Sequence, residues 1–329
     1  MGISRRIFFQ RLLLGAGLAG LGYFLGRKIL PPRWKETVCI VKAKSYKDDL
    51  AAMILSGLQA VGVSPGEIAG KRILLKPNLV EPTLGSPHIN TNPSVVQGAA
   101  AAFLQLGAAQ IIVAEGPGHN HDTLLLLEES GLAEVLQEDG LPFVDLNLDS
   151  VISRRNAGNF STLTHLVLPA TLEEVDWIVS LAKLKTHHWA GVTLSLKNLF
   201  GLMPGSYYGW PKNVLHWAGI EQCILDIAAT VRPHFAIVDG IVGMEGDGPI
   251  MGTPKEAGVL VMGRNLTAVD ATCARIMGID PYRVKYLAKA DGFLGPLAAA
   301  DIIQRGELIA DVRTDFQLVE KIPAHRGLR

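Results

Sequence analysis

The chain is predicted to be an α/β protein: a largely parallel sheet, or sheets, covered by helices, arranged as two α/β lobes around a cleft. Three observations predict it. Apolar β-branched runs alternate with helical patterns at the spacing of β-α units, glycine or a capping asparagine marks helix ends, and the composition is globular. With 329 residues, 48% of them hydrophobic, 35 glycines, 18 prolines and 3 cysteines, the chain is not disordered, collagenous or stapled by disulfides.

In chain order, residues 37–41, 72–75, 110–114, 165–168, 176–181, 235–238 and 258–262 read as buried strands. Helices fall between them. Residues 48–61 repeat apolar positions at three and four; 93–106 start after the cap Asn92 and stop at Gly107; 214–231 place Ile220, Ile224 and Ile227 on one stripe. Residues 147–164 are polar, basic and glycine-containing. They mark either a crossover between two lobes or a long surface loop of one domain.

Charge divides the chain into a leader, 1–35, and a body, 36–329. Lysine plus arginine and aspartate plus glutamate both number 31, yet Arg5, Arg6, Arg11, Arg27, Lys28, Arg33 and Lys35 precede the first acid. The body therefore carries 24 cations against 31 acids, a net −7, and a nucleic-acid partner is not expected, since no surplus of cations remains to displace phosphate counterions. Ser4-Arg5-Arg6-Ile7-Phe8-Phe9-Gln10, followed by an apolar stretch over 12–25, resembles a twin-arginine (Tat) export signal. That resemblance implies the Tat translocation machinery as a partner and a place in the periplasm or on the outer face of the cytoplasmic membrane. Uncleaved, the segment would anchor the body to the membrane, although it is shorter than the ~20 residues of a span. Cys39, Cys223 and Cys273 form no C-x-x-C pair, so an iron–sulfur cluster is not expected.

Ligands of open parallel sheets bind beyond the carboxyl ends of the strands, so the polar residues found there are the site candidates. Lys183, Lys185 and His187 alternate at the end of the 176–181 run and share one face if the strand persists. The following stretch, Thr193 to Gly201, has a helical pattern that presents Thr193 and Lys197 together. Three lysines and a histidine gathered in an acidic body suit a carboxylate or phosphate, with His187 or a desolvated lysine available for proton transfer. The bland alternative is lysines snorkelling from a sheet edge and His187 capping the next helix. Lys76 and Asn78 follow a second strand, Glu115 a third, Asn198 belongs to the Thr193 to Gly201 pattern and His216 lies near a helix start; all five are substrate-binding candidates. His119 and His121 are spaced to share a metal if extended, but more often read as solvated loop residues. After the 235–238 strand, Asp239, Glu245 and Asp247 sit in a glycine-rich stretch and form a candidate divalent-cation set, or else ordinary turn residues. Asp270 interrupts an apolar helix and reads as a buried hydrogen-bonding group.

Together, Lys76-Pro77-Asn78, Thr91-Asn92-Pro93, the Lys183-Leu184-Lys185-Thr186-His187 run leading to Lys197-Asn198-Leu199-Phe200-Gly201, the 239–252 glycine loop and Leu266 to Ala271 resemble the domain of unknown function 362 (DUF362) family over most of the chain. Some relatives in that family carry iron–sulfur clusters; the cysteine run that would hold them does not occur here. The Lys-rich segment ending in Met203-Pro204-Gly205 also resembles the lactate racemase architecture, two lobes around a nickel-pincer cofactor, but no racemase histidine motif accompanies it, so neither pincer nor racemisation is carried over. The expectation is an exported enzyme acting on an anionic small molecule by acid/base or metal-assisted chemistry. The alternative is a non-catalytic envelope protein that binds an anion, a metal or a cofactor through the same residues.

Overall fold

A computed structural model describes residues 35–329 other than 83–84 and 120–121. The stretch that resembles an export signal and His121 lie outside the described residues. The principal sheet has nine strands: β1 (Glu36–Lys42), β2 (Arg72–Lys76), β3 (Gln110–Glu115), β4 (Phe143–Asp145), β7 (Trp177–His187), β8 (Gly191–Thr193), β9 (Phe235–Glu245), β10 (Thr253–Gly263) and β11 (Ile302–Gly306). Their order is β11-β1-β10-β9-β7-β2-β3-β4, with β8 turning back on β7. The run from β9 through β7, β2 and β3 to β4 is parallel, whereas β10 is antiparallel to both its neighbours. The α/β expectation therefore holds. Within the 147–164 stretch lies β5 (Val151–Arg155), which pairs with β6 (His165–Pro169) as a separate antiparallel hairpin.

Each sheet face is buried under its own helices. On one, Leu50, Ile54 and Leu58 of the Leu50–Ala60 helix and Val95, Val96, Ala99 and Phe103 of the Pro93–Gln105 helix pack on Ile73, Leu75, Val179 and Leu181. On the other, Ile224 and Ile227 of the Ile220–Val231 helix and Val269 and Cys273 of the Leu266–Ile276 helix pack near Leu74, Ala182 and Leu184. Each fully buried leucine or isoleucine contributes roughly 1.5–3 kcal/mol, which fixes the strands and hence the positions of their ends. Asn92 accepts from Ser94 N–H at 3.0 Å and starts the Pro93–Gln105 helix as its spacing predicts.

The elements depart from expectation in three places. Strand β7 runs on to His187, because β8 and the carboxyl half of β9 supply ladder partners that its polar residues do not advertise. β9 likewise continues to Glu245, where a glycine loop was expected. There, side chains at Gly240 and Gly243 would crowd Leu184 and Phe316, so these glycines permit close packing of protein against protein. The helix expected over 214–231 is divided at Gly219, whose φ of 105° is open to glycine and separates Asn213–Trp217 from Ile220–Val231.

Candidate functional site

The parallel strands β2, β3, β7 and β9 deliver their carboxyl ends to one edge, and a cleft of about 370 Å³ opens there. Its floor is a polar network without slack. Lys76 Nζ, fully buried, donates to the Glu115 carboxylate, to the Pro77 carbonyl at 2.8 Å and to Asn198 Oδ1 at 3.1 Å. Asn198 Nδ2 donates to the Lys76 carbonyl at 3.2 Å and to Ser180 Oγ at 3.0 Å. Burial pulls the Lys76 ammonium below the usual lysine range, and Glu115 opposes the shift.

Three further amines join Lys76 in the lining. Lys185 Nζ donates only to carbonyls, those of Ile89 at 2.8 Å and Pro249 at 3.3 Å; burial first, then the charges of Lys183 and Lys197, lowers its pKa well below the ordinary value. Lys212, held at φ 66°, donates to the carbonyls of Gly116 at 2.7 Å and Phe200 at 3.1 Å, and burial brings its pKa down to about 7. Lys197 Nζ makes no hydrogen bond or ion pair with the described residues. It stands 4.3 Å from the centre of the Phe200 ring, and burial with the Lys76 charge lowers its pKa to about 8. Among the described residues, four amines thus face a single lining carboxylate, Glu115.

The short helix Ser195–Asn198 that carries Lys197 and Asn198 is fastened by Asp270, as a buried hydrogen-bonding group would be. Asp270 accepts from Ser195 N–H at 2.8 Å, Ser195 Oγ–H at 2.5 Å and Leu196 N–H at 3.0 Å, and burial raises its pKa to about 7. Imidazoles and aromatic rings close the upper wall. His187 Nδ1 accepts from Trp189 N–H at 3.0 Å and Ala190 N–H at 3.3 Å, and burial keeps the ring neutral well below its usual pKa, so Nε2 is the nitrogen left for a ligand. His216 packs at 5.2 Å from Trp189 and 5.8 Å from Phe200, and burial lowers its pKa too.

Of the expected residues, Lys76, Asn78, Glu115, Lys185, His187, Lys197, Asn198 and His216 line this one cleft; His119 lines it as well, with Nδ1 beside Glu81. Lys183 does not. A register shift between β7 and β9 separates it from Lys185, and its Nζ pairs with Asp239 at 2.7 Å and Tyr46 OH at 2.9 Å behind the cleft. Nor do Asp239, Glu245 and Asp247 form a cation set. Asp239 is saturated by Lys183, Tyr46 and the amides of Asn92 and Ile241; Glu245 accepts from Gln317 N–H and pairs with Lys255; Asp247 sits on the surface 3.7 Å from His188. Among the described residues no group of three His, Cys, Asp or Glu side chains is placed to hold a metal ion. Sequence reasoning missed Lys212, which lies outside any periodic element between a Trp-Pro pair and a helix start, and Trp189, whose ring reaches the cleft from the turn after His187.

The family model for the domain of unknown function DUF362 matches residues 73–275, which span every strand end that builds this cleft. The chain belongs to the DUF362 family. This member is 28% identical over 279 residues, 80% of its own length and 82% of the relative's, to a thylakoid-associated protein of Synechocystis sp.. Among solved structures, it resembles a Thermotoga maritima protein with a TM-score of 0.41 and 11% identity, covering 71% of this chain and 59% of that one. It resembles the lactate racemase apoprotein of Thermoanaerobacterium thermosaccharolyticum with a TM-score of 0.43 and 13% identity, over 74% of this chain and 58% of that one. The DUF362 chain thus spans less than two thirds of either solved structure.

Proposed function

We propose that this DUF362 protein is an enzyme that binds an anionic small molecule in the cleft and transfers a proton on it. One observation carries the reading: Lys76, Lys185, Lys197 and Lys212 line a cleft of about 370 Å³ with Glu115 as the one lining carboxylate among the described residues, an arrangement that an arriving anion neutralises. Apolar walls at Leu79, Phe200 and Ile250 accommodate the uncharged part of the ligand. Lys197 and Lys212, with pKa values of about 8 and 7, exchange protons near neutrality, whereas His187 contributes a neutral N–H donor through Nε2. Asn78 and His216 orient the substrate, and Asn198 acts by holding Lys76.

We place the protein outside the cytoplasm on the strength of the twin-arginine segment, and beside a membrane on that segment and the thylakoid association of the Synechocystis relative. Among the described residues no helix is long and apolar enough to cross a membrane.

Native mass spectrometry of the purified protein, followed by incubation with a panel of carboxylates and phosphates, tests the activity. The expected result is an anion bound by the native protein, lost in Lys197→Met, and converted to a product. A ligand that is released unchanged, with no turnover across the panel, makes the protein an envelope binding protein instead.

A further inference from the structure

The four cleft amines are not equivalent. Lys76 is committed to three oxygens, Lys185 to two carbonyls and Lys212 to two carbonyls, while Lys197 has no acceptor among the described residues. Its Nζ lies over the Phe200 ring and its helix is clamped by Asp270, so the amine is held in place with no hydrogen-bond acceptor among the described residues. A lone pair presented in this way inside a cationic, partly apolar cleft is the arrangement that carbonyl condensation requires.

We propose that Lys197 is a catalytic nucleophile whose Nζ forms an imine with the aldehyde or keto carbon of an anionic substrate, a 2-oxo acid or a sugar-like carbonyl compound. The inference rests on the anion-binding reading above and narrows its substrate class. The amine lone pair attacks the carbonyl carbon and the C=O π pair moves to oxygen. One hydrogen from nitrogen, one proton from the Lys212 ammonium and the former carbonyl oxygen depart as one water, and a protonated C=N, an iminium, replaces C=O with no change of oxidation level. The Lys212 ammonium, tied to two carbonyls nearby, is the acid that protonates the departing oxygen and is left as the amine, while His187 Nε2–H donates a hydrogen bond to that oxygen. The resulting iminium withdraws electrons from the adjacent carbon, so the reactions that follow are proton abstraction or bond cleavage at that carbon. A pKa of about 8 leaves part of Lys197 as free amine at neutral pH, in support of the geometry.

The test is borohydride trapping of the full-length protein with glyoxylate, an anionic aldehyde, read by peptide mass spectrometry at several pH values. The reduced adduct is expected on Lys197, formed at least about tenfold faster than on the exposed Lys285 at pH 7.5, with a rate that climbs through pH 8. Lys197→Arg keeps a cation over Phe200 and is expected to bind glyoxylate by calorimetry yet give no cleft adduct. Labelling of Lys197 no faster than of Lys285, or an adduct on Lys185 or Lys212 instead, overturns the imine assignment. Glyoxylate binding by calorimetry without trapping sinks this inference and leaves the anion-binding reading intact; binding by neither removes both.

Discussion

Lys76 and Asn198 hold each other by reciprocal hydrogen bonds across 122 positions of chain: Nζ donates to Oδ1 at 3.1 Å, and Nδ2 donates to the Lys76 carbonyl at 3.2 Å. The end of a central parallel strand is thereby locked to a four-residue helix too short to stand alone. The adjacent Lys197 inherits its position from that lock.

Gly201 lies under the same floor, and a methyl group there would overlap the Glu115 carboxylate and Lys76 Nζ. Gly201→Ala is expected to lower stability by roughly 1–3 kcal/mol through overpacking and to weaken anion binding, as read by urea denaturation and calorimetry. Wild-type values for both measurements would show that the floor yields without cost.

The Lys183–Asp239 pair is fully buried and stands apart from the cleft. Asp239→Asn strands a buried ammonium and is expected to cost about 3–5 kcal/mol, while the double change Lys183→Met with Asp239→Asn, whose side-chain oxygen still accepts from Tyr46 and the backbone amides, recovers much of that loss. Anion affinity is expected to survive in the double variant. A loss of binding there with stability restored would return Lys183 to the site.

Asp270 has its pKa raised to about 7 by burial, so between the unfolded carboxyl value near 4 and pH 7 the folded state holds more protons than the unfolded one. This group therefore contributes stability that is present below that window and lost as pH rises through it. Relative to Asp270→Asn, the wild type is expected to gain up to about 4 kcal/mol between pH 7 and pH 4. Denaturation curves of the two proteins that keep a constant separation over this range would refute the assignment.

Noncovalent anion affinity has the opposite dependence on basicity from imine formation. Lys212 and Lys197 lose their protons as pH rises through about 7 and 8, and the positive potential of the cleft falls with them. The Kd for a simple carboxylate is expected to rise at least about tenfold between pH 6 and pH 9, about 1.4 kcal/mol, and more steeply at low salt. A flat profile by calorimetry would mean that these amines do not meet the ligand.

Much of this was legible in the residues alone. Every strand expected from apolar runs exists, because burial of a strand leaves an apolar run, unbroken where both faces of the sheet are covered. Strands β4, β5, β8 and β11 escaped because three to five residues at an edge or hairpin carry too little pattern. The period-two lysines of β7 did mark the strand end that forms the cleft, yet alternation alone treats Lys183 and Lys185 alike. Only the register shift against β9 and the distant Asp239 divide them, and neither leaves a trace near Lys183 in sequence. Lys212 shows the same limit: its partners are backbone carbonyls at Gly116 and Phe200, which every residue possesses.

The surplus of amines in the cleft gives the molecule a means of reporting its own natural ligand. Any compound that relieves their mutual repulsion binds the native state alone, so at a hundred times its Kd it stabilises that state by about 2.7 kcal/mol, a rise in melting temperature that a plate-based screen resolves. Metabolite extracts fractionated against that signal lead from the melting curve to the compound before any reaction has been assayed.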